Sequence, residues 1–377
     1  MRAQEFLTED YDPTKARVEH PEDLILTQGS SGAQHAIAII QQMATNPETI
    51  SIKPDGKPAI IWGRDDQGFG MADKHMFAKG IIPRSIDQMA QVYSQRSGGG
   101  REELVSMMAA LWPQFEQSVP GSFRGWMFGD LLYSQRPGVQ NGNFVFQPNT
   151  VSYSVPVASD LGKQIAASTS GIVVHTYFKQ APYLGQDGKI VAPPGQHITS
   201  PRGINTRGPL LVISDQFTAP PKVKVPPEIK NLSAFISRNA GLIDKVLDES
   251  TLVSLKIKDL PQLLKTYANS KVRARNFNAF GSDFLEWLAS SKASEQKQKN
   301  IQTHLQENAG GFKVLCQAFL GIMNIKDKIV GLLDAHPAPL QASIQGEPGQ
   351  EGYLVHTKSG PVKTVNRQKF SAANFEK

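Results

Sequence analysis

The chain has 377 residues, of which 40% are hydrophobic and 20% are charged. This length predicts two domains or one large decorated domain, and the composition excludes a wholly disordered chain. The polar beginning, MRAQEFLTED, does not resemble a secretory signal, and no apolar run reaches the ~18 to 20 residues that span a bilayer. Cys316 is the only cysteine, which excludes an internal disulfide and a multi-cysteine zinc site. We therefore expect a soluble cytoplasmic protein without a membrane partner or an obligate protein partner.

Positive charge is concentrated toward the C-terminal part of the chain. Residues 1–225 contain 20 Lys and Arg against 20 Asp and Glu, residues 226–335 contain 15 against 11, and residues 336–377 contain 5 against 3. A local positive excess is typical of a segment that binds a polyanion such as nucleic acid. A helical segment with a charge of +4 also occurs as an ordinary solvated surface, so both interpretations stay open.

The first half of the chain combines helices with strands. The segment Gly29-Ser-Ser-Gly32 precedes an apolar-periodic stretch at 33–43, which predicts a helix capped by the hydroxyl of Ser30 or Ser31. The same four residues lack the Lys-Ser/Thr ending of a phosphate-binding P-loop, so capping is favoured. Strands are predicted at 49–52, at 59–62, after the turn at 65–68, and at 125–133, 143–153 and 171–178, with a helix at 101–118.

The second half is mainly helical. Residues 179–227 are rich in Pro and Gly, which predicts loops between short strands. Apolar runs at helical spacing follow at 242–247, 260–267, 284–288 and 312–333, and β texture returns at 352–356 and 362–365. A helical block between β segments is either an insertion into a β-rich domain or a lobe beside it.

Lys53 follows a predicted strand in the sequence Lys53-Pro-Asp55-Gly56, directly before a hairpin. Taken alone, this is an exposed lysine beside a Pro-Asp-Gly turn. A lysine held at a strand end acts as a nucleophile when its environment lowers its pKa from ~10.4. The string resembles motif I, Lys-x-Asp-Gly, of the covalent nucleotidyltransferases, which are ATP-dependent DNA ligases, RNA ligases and mRNA capping enzymes. The resemblance implies that Lys53 forms a lysyl–nucleotide and that Asp55 and Gly56 help to bind the nucleotide.

Two later strands resemble further motifs of this superfamily. The strand with Phe128 and Asp130 is similar to motif III, whose aromatic ring stacks on the base and whose acid faces the ribose and the lysine. The usual acid is Glu, one methylene longer than Asp130. The strand 171–178 is similar to motif IIIa, which implies a base-contacting aromatic side chain at Phe178.

The C-terminal strands resemble motifs IV and V. Glu351 and Gly352 begin a Glu-Gly-apolar pattern typical of motif IV, which is a better match than Ser170-Gly171 because motif IV requires Glu. Lys363 matches the motif V lysine that grips the α-phosphate. The family usually has a second lysine there, for which Lys358 or Arg367 could substitute.

The resemblance implies an ATP- and Mg²⁺-dependent enzyme. Asp130 and Glu351 would converge beside the lysine to hold Mg²⁺, and basic residues of the hairpin after motif I, namely Arg64, Lys74 and Lys79, would contact the nucleotide as in phage-type RNA ligases. The implied fold is α+β, an ATP-grasp-like ligase adenylation core of antiparallel sheets with helices. The core would comprise 1–225 and 336–377, and 226–335 would be a mostly helical insertion.

The implied substrate is nucleic acid, either RNA or DNA ends, and the implied reaction is ligation or adenylylation of those ends. The basic residues Lys271, Arg273 and Arg275 lie among aromatic residues in the helical segment, a combination typical of strand binding, although aromatic residues on helices are more often core. Two alternatives stay open. One is a degenerate relative that binds nucleotide or nucleic acid without catalysis, and the other is nucleotidyl transfer to a different acceptor.

Overall fold

The computed structural model describes residues 20–52, 54–95, 102–186, 188, 190–191, 193, 195–197, 203–214, 222–336, 340–357 and 360–371. It has mixed helix and strand content with several sheets, which confirms the predicted α+β class at that level. Among these residues no helix is both long and apolar enough to cross a membrane.

The described chain begins with a mixture of helices and strands, continues with a run of helices and ends with short strands. The helices are α1 (Leu24–Thr45), α2 (Lys74–Ala78), α3 (Ile86–Ser94), α4 (Glu102–Ser118), α5 (Asp160–Ala167), α6 (Glu228–Arg238), α7 (Ala240–Val246), α8 (Glu249–Ser254), α9 (Leu260–Arg273), α10 (Phe284–Ala289), α11 (Glu295–Glu307) and α12 (Ala309–Asp334). The strands are β1 (Ile50–Ile52), β2 (Ala59–Asp65), β3 (Gly68–Asp73), β4 (Gly125–Tyr133), β5 (Gly138–Gln140), β6 (Asn143–Phe146), β7 (Ser152–Pro156), β8 (Ser170–Phe178), β9 (Tyr183–Leu184), β10 (Ile190–Val191), β11 (Gln196–His197), β12 (Leu210–Ser214), β13 (Gln341–Ile344), β14 (Glu347–Pro348), β15 (Tyr353–Thr357) and β16 (Gly360–Thr364).

The chain forms two compact units. The first unit contains the described residues within Ile52–Thr218 and Pro337–Ser343, and the second contains those within Val18–Ser51, Ala219–His336 and Ile344–Lys377. These units cut across the division expected from the sequence, because α1 and the C-terminal strands group with the helical block at 226–335. The physical reason is the apolar surface of α1, which packs against α6, α7, α9 and α12.

A six-stranded sheet is the centre of the first unit. Its strands follow the order β11-β8-β4-β2-β3, and β12 pairs in parallel with β8. Ala59 of β2 lies opposite Asp130 of β4, and Asp130 in turn lies opposite Val173 of β8. This register places the strand that resembles motif III between the strand after Lys53-Pro-Asp-Gly and the strand that resembles motif IIIa.

Both faces of this sheet are covered at one end. The indole of Trp62 packs edge-on against Phe115 of α4, with ring centroids 5.0 Å apart. Trp126 lies opposite Gly63, so its side chain points to the other face from that of Trp62, because successive side chains of a strand alternate. On that second face Phe77 of α2 contacts Trp126 and Phe178. The burial stabilises the end of the sheet that is remote from Asp130.

A smaller antiparallel sheet completes the first unit. It contains β5, β6, β7 and β13, with Phe144 opposite Val155 and Ala342 opposite Tyr153. Val155 and Tyr153 are fully buried. Tyr153 also reaches the loop that follows motif I, as described below.

The second unit is built on two long helices, α1 and α12, which pack together. Helix α1 is kinked at Gly29, which has φ +63° and ψ −142°. The carboxylate of Asp244 accepts hydrogen bonds from the amide of Ser30 at 2.7 Å and from its hydroxyl at 2.8 Å. The hydroxyl of Ser31 donates to the carbonyl of Gln28. The prediction of a serine cap was therefore wrong, since an acid 214 residues away takes that role.

A three-stranded sheet accompanies these helices in the order β1-β15-β16, and the boundary between the units falls at the end of β1. Strands β15 and β16 are antiparallel, with Leu354 opposite Lys363. The hydroxyl of Tyr353 donates to Asp334 at the end of α12 at 2.8 Å. Burial, with the negative charge of Asp334, raises the pKa of Tyr353, so the hydroxyl stays a proton donor that fixes β15 to α12.

Candidate functional site

Asp55, in the sequence that resembles motif I, is buried and connects two loops of the first unit through hydrogen bonds. Its Oδ1 atom accepts a hydrogen bond from the side-chain amide of Asn149 at 3.0 Å, and its Oδ2 atom accepts one from the backbone amide of Thr150 at 2.9 Å. Its own backbone amide donates to the hydroxyl of Tyr153. The sequence assigned Asp55 to the nucleotide, whereas the structure shows that its carboxylate holds the loop after motif I against β7.

Gly56 has no room for a side chain. A Cβ atom there would lie 2.6 Å from the carbonyl oxygen of Leu131 and 3.0 Å from the Cβ of Asp130. The neighbouring backbone is held by two hydrogen bonds, from the amide of Lys57 to the carbonyl of Leu131 and from the amide of Leu131 to the carbonyl of Pro58. Glycine is therefore required for the loop to lie flat on the part of β4 that carries Asp130.

Lys53, the expected nucleophile, lies outside the described residues. In sequence it stands between Ile52, which ends β1, and Pro54, which begins the loop held by Asp55 and Gly56. Its role as the attacking amine stays a prediction.

Asp130 is paired with His175, a residue that no motif in the sequence indicated. The Nε2 atom of His175 lies 3.1 Å from Oδ2 of Asp130, and the two side chains are 11% and 14% exposed. His175 sits at an irregularity of the β4–β8 register, between Val174, opposite Gly129, and Thr176, opposite Phe128. The feature of the sequence that could have indicated His175 is its position on the strand expected beside the one that resembles motif III.

The two expected base-stacking rings differ in accessibility. Phe128 is half-buried and lies two residues before Asp130 on β4, so both side chains belong to one face of the sheet. Phe178 is 3% exposed and its ring packs 5.2 Å from that of Phe77. Phe128 therefore remains the candidate for a stacking contact, whereas the ring of Phe178 belongs to the core.

The basic residues of the hairpin after motif I are not all brought together. Arg64 lies five residues beyond Ala59 on β2, roughly 17 Å along the strand. Its guanidinium donates to the carbonyl of Val119 at 3.1 Å and lies 3.5 Å from Glu116. Arg64 therefore ties β2 to the end of α4, away from Asp130.

Lys74 is the first residue of the short helix α2, Lys79 follows its last residue, and both are exposed. Lys74 follows Asp73, which lies opposite Ile60, so it emerges at the same end of the sheet as Asp130, two strands away. Lys79 is at the other end of α2 and precedes Gly80, whose backbone lies against that of Pro182. Lys74 is thus the hairpin lysine that shares an end of the sheet with Asp130.

The sequences that resemble motifs IV and V are adjacent in the second unit. The Nζ atom of Lys363 lies 2.6 Å from Oε1 of Glu351, whose side chain is 5% exposed. A Cβ atom on Gly352 would lie 2.6 Å from the carbonyl oxygen of Thr364, so a residue with a side chain does not fit after Glu351. Ser170, the alternative start of motif IV, is instead buried in β8, where its hydroxyl donates to the side chain of Gln114.

A second histidine lies on this sheet. The Nε2 atom of His356 on β15 is 2.9 Å from the hydroxyl oxygen of Ser51 on β1, two positions before Lys53 in the sequence. The side-chain amide of Gln42 donates to the backbone carbonyl of His356 at 2.9 Å. These contacts fix the strand that leads into motif I beside the motif IV strand.

The expected second cation beside Lys363 is not supplied by Arg367. Its guanidinium is 2% exposed, donates to Asp23 at 2.8 Å and to Asn269 at 2.6 Å, and therefore belongs to a buried ionic cluster. Lys358, the other candidate, lies outside the described residues.

Mg²⁺ is usually held by one or two carboxylates together with substrate phosphates, and Asp130 and Glu351 are donors of that kind. Within the described part of the chain there is no cluster of three or more His, Cys, Asp or Glu side chains able to hold a metal. Asp130 belongs to the first unit and Glu351 to the second, so their convergence stays a prediction.

The basic cluster of the helical segment is partly committed to internal contacts. Lys271 forms an ion pair with Asp283, which also accepts a hydrogen bond from the hydroxyl of Tyr267. Burial raises the pKa of Asp283, but the hydrogen bonds from Lys271 and Tyr267 outweigh it and hold the pKa below its ordinary value. Arg273 and Arg275 are exposed at the end of α9.

The chain belongs to the DUF6267 family, a family of unknown function whose sequence model matches residues 16–377. No curated protein and no solved structure matches the chain.

Proposed function

We propose that this protein is an ATP-dependent nucleotidyltransferase of the polynucleotide-ligase type, in which Lys53 is the nucleophile. The observation that carries the proposal is the packing of the Asp55-Gly56 loop. Both residues of the Asp-Gly sequence have a specific structural role, since Asp55 braces the loop and Gly56 lets it lie against β4 beside Asp130. A surface turn with an incidental lysine would not require either residue.

The remaining motif residues support the same function. Lys53 would attack the α-phosphorus of ATP, so that a nitrogen–phosphorus bond forms, the bond between the α- and β-phosphates breaks and pyrophosphate leaves. Phe128 would offer a half-buried ring to the base, Asp130 would face the ribose and the lysine, and Lys363 would neutralise charge on the α-phosphate. Mg²⁺ would supply electrostatic stabilisation of the phosphates, with Asp130 and Glu351 as its protein ligands. The proposed acceptor is a nucleic-acid end.

The alternative is a relative that binds nucleotide or nucleic acid without catalysis. It is favoured by the pairing of Lys363 with Glu351, because this contact occupies two groups that the reaction needs. Substrate binding would have to separate Lys363 from Glu351 for catalysis to proceed.

Covalent labelling separates the two functions. The full chain is incubated with Mg²⁺ and ATP labelled at the α-phosphate, and the denatured protein is tested for acid-labile label. We expect label in the parent and in Lys57→Ala, a control in the same loop with an exposed side chain, and none in Lys53→Ala. ATP labelled at the γ-phosphate should leave the protein unlabelled.

Label on Lys53→Ala would contradict the assignment of the nucleophile. Tight ATP binding by a parent that never becomes labelled would favour the non-catalytic relative. Labelling by GTP instead of ATP would favour a capping-type activity.

A further inference from the structure

The pairing of Asp130 with His175 arises from a local irregularity of β8. Opposite Phe128 and Gly129, which are consecutive on β4, stand Thr176 and Val174, so His175 is an extra residue in β8. Bulges of this kind re-aim a side chain and are frequent beside active sites. Here the bulge brings the imidazole of His175 to the carboxylate of Asp130.

The chemistry of the pair fixes the proton on one ring nitrogen. An ionised carboxylate only accepts hydrogen bonds, so in a pair with ionised Asp130 the Nε2 atom of His175, 3.1 Å from Oδ2, is the donor. Both side chains are largely withdrawn from solvent, with 11% and 14% exposure. A hydrogen bond shielded from water restricts the carboxylate to one orientation more strongly than an exposed one would.

Asp130 has a particular need for such a partner. The Cβ atom of Asp130 lies 3.0 Å from the place that a Cβ on Gly56 would occupy. Asp130 therefore borders the loop that follows Lys53. It is one methylene shorter than the Glu usual in motif III. A short acid beside a tightly packed loop depends on a neighbour to set the direction of its carboxylate.

We propose that His175 is a positioning residue that donates from Nε2 to Asp130 and holds its carboxylate in the orientation required for Mg²⁺-dependent adenylylation of Lys53. This inference rests on the proposed function. His175 acts through Asp130 and does not itself touch the nucleotide. Outer partners of metal-binding carboxylates typically contribute about 10- to 100-fold to metal affinity or activity.

The first experiment tests the pairing without any activity. Nitrogen-15 NMR of the imidazoles in the ligand-free full chain should show a hydrogen on the Nε2 atom of His175, whose signal is identified by its loss in His175→Gln. Asp130→Asn should shift that signal, whereas the exposed His75 should be unaffected. A His175 with hydrogen on Nδ1 alone, or one insensitive to Asp130→Asn, would overturn the proposal.

The second experiment tests the consequence. In the labelling reaction, His175→Ala should raise the Mg²⁺ concentration for half-maximal rate, or lower the rate constant at saturating ATP, by about 10- to 100-fold. His175→Gln, which can present an N–H near the same place, should recover most of the loss, and His75→Ala should behave as the parent. Equal losses for the Gln and Ala variants would contradict the proposed hydrogen bond.

A double variant decides whether His175 acts through Asp130. In the Asp130→Asn background, His175→Ala should cause little further loss, because the group that it orients is already changed. Multiplicative losses would show that His175 acts independently and would overturn the proposal. If the parent is never labelled while the NMR result is as expected, the pairing stands and the proposed function fails.

Discussion

The ammonium group of Lys326 lies 2.6 Å from the Oε1 atom of Glu22, and neither side chain is exposed to solvent. Arg367 adds a second buried cation, 3.4 Å from Glu22 and 2.8 Å from Asp23. These residues join the segment before α1, the middle of α12 and the turn after β16 within the second unit. Because β16 carries Lys363, this ionic cluster holds the motif V strand to the helices.

Replacing Lys326 by Met should destabilise the protein by about 3 to 5 kcal/mol, because Glu22 would be left as a buried charge without its nearest partner. Lys328 offers a matched control on the same helix. Its ion pair with Glu228 is half exposed on both sides, so Lys328→Met should change the free energy of unfolding by less than about 1 kcal/mol. Urea unfolding of the three proteins measures the difference, and equal effects of the two substitutions would contradict the role of burial.

Asp327, next to Lys326, should make stability depend on pH. Burial raises the pKa of Asp327 to about 6, although Lys326, 3.3 Å away, acts in the opposite direction. A carboxyl that binds its proton more tightly in the folded state makes that state more stable as the pH falls through about 6 toward its ordinary pKa. Above about pH 6 the ionised group costs up to about 3 kcal/mol, at about 1.36 kcal/mol per pKa unit.

Asp327→Asn should therefore stabilise the protein at about pH 8, and the gain over the parent should shrink steadily between about pH 7 and pH 4. The difference between the two proteins, measured by urea unfolding at each pH, isolates this group from other titrating residues. A gain that grows on acidification would show that the ionised form of Asp327 is the one stabilised by folding.

Gly56→Ala should reduce both stability and self-labelling. The added methyl group would lie 2.6 Å from the carbonyl of Leu131, so the loop must move away from β4, at a cost of about 1 to 3 kcal/mol. Gly138→Ala is the control, because a Cβ at that exposed position meets no atom within 4 Å. Thermal unfolding and labelling by ATP are measured on both. Unchanged labelling in a Gly56→Ala protein that folds would separate the loop geometry from the reaction.

The sequence predicted individual elements more accurately than their long-range contacts. Strand β4 was predicted at its observed bounds and α12 within a few residues, because apolar periodicity is a local property of the chain. The grouping of α1 with α12 depends on contacts between segments at opposite ends of the chain. The kink at Gly29 likewise depends on Asp244, and no local pattern indicates either.

In the candidate site, too, the sequence indicated local features but not long-range contacts. The resemblance to motifs I and IV singled out Gly56 and Gly352, but not the close backbone approaches that the structure shows at both positions. The sequence alone did not reveal that Asp55 braces a loop, because its partners Asn149 and Thr150 are 94 and 95 residues away. His175 was missed because a register irregularity of β8, rather than a motif, brings it to Asp130.

The basic cluster at the end of α9 gives the last prediction, which concerns nucleic acid. Arg273 and Arg275 are exposed, so these two arginines are candidates for phosphate contacts. Arg273→Ala with Arg275→Ala should weaken binding to single-stranded RNA or DNA. It should also reduce the slope of log K against log salt by about 0.7 for each phosphate that an arginine neutralises in the parent complex.

Self-labelling at Lys53 should survive the double substitution, because the proposed adenylylation uses ATP alone. Lys271→Met should instead act on folding, since it removes the ion-pair partner of Asp283. Fluorescence anisotropy with a labelled oligonucleotide at several salt concentrations measures the binding and its slope. If the Arg273→Ala/Arg275→Ala protein retains both the affinity and the slope of the parent, the end of α9 is ordinary solvated surface. Nucleic acid would then have to bind elsewhere on the chain.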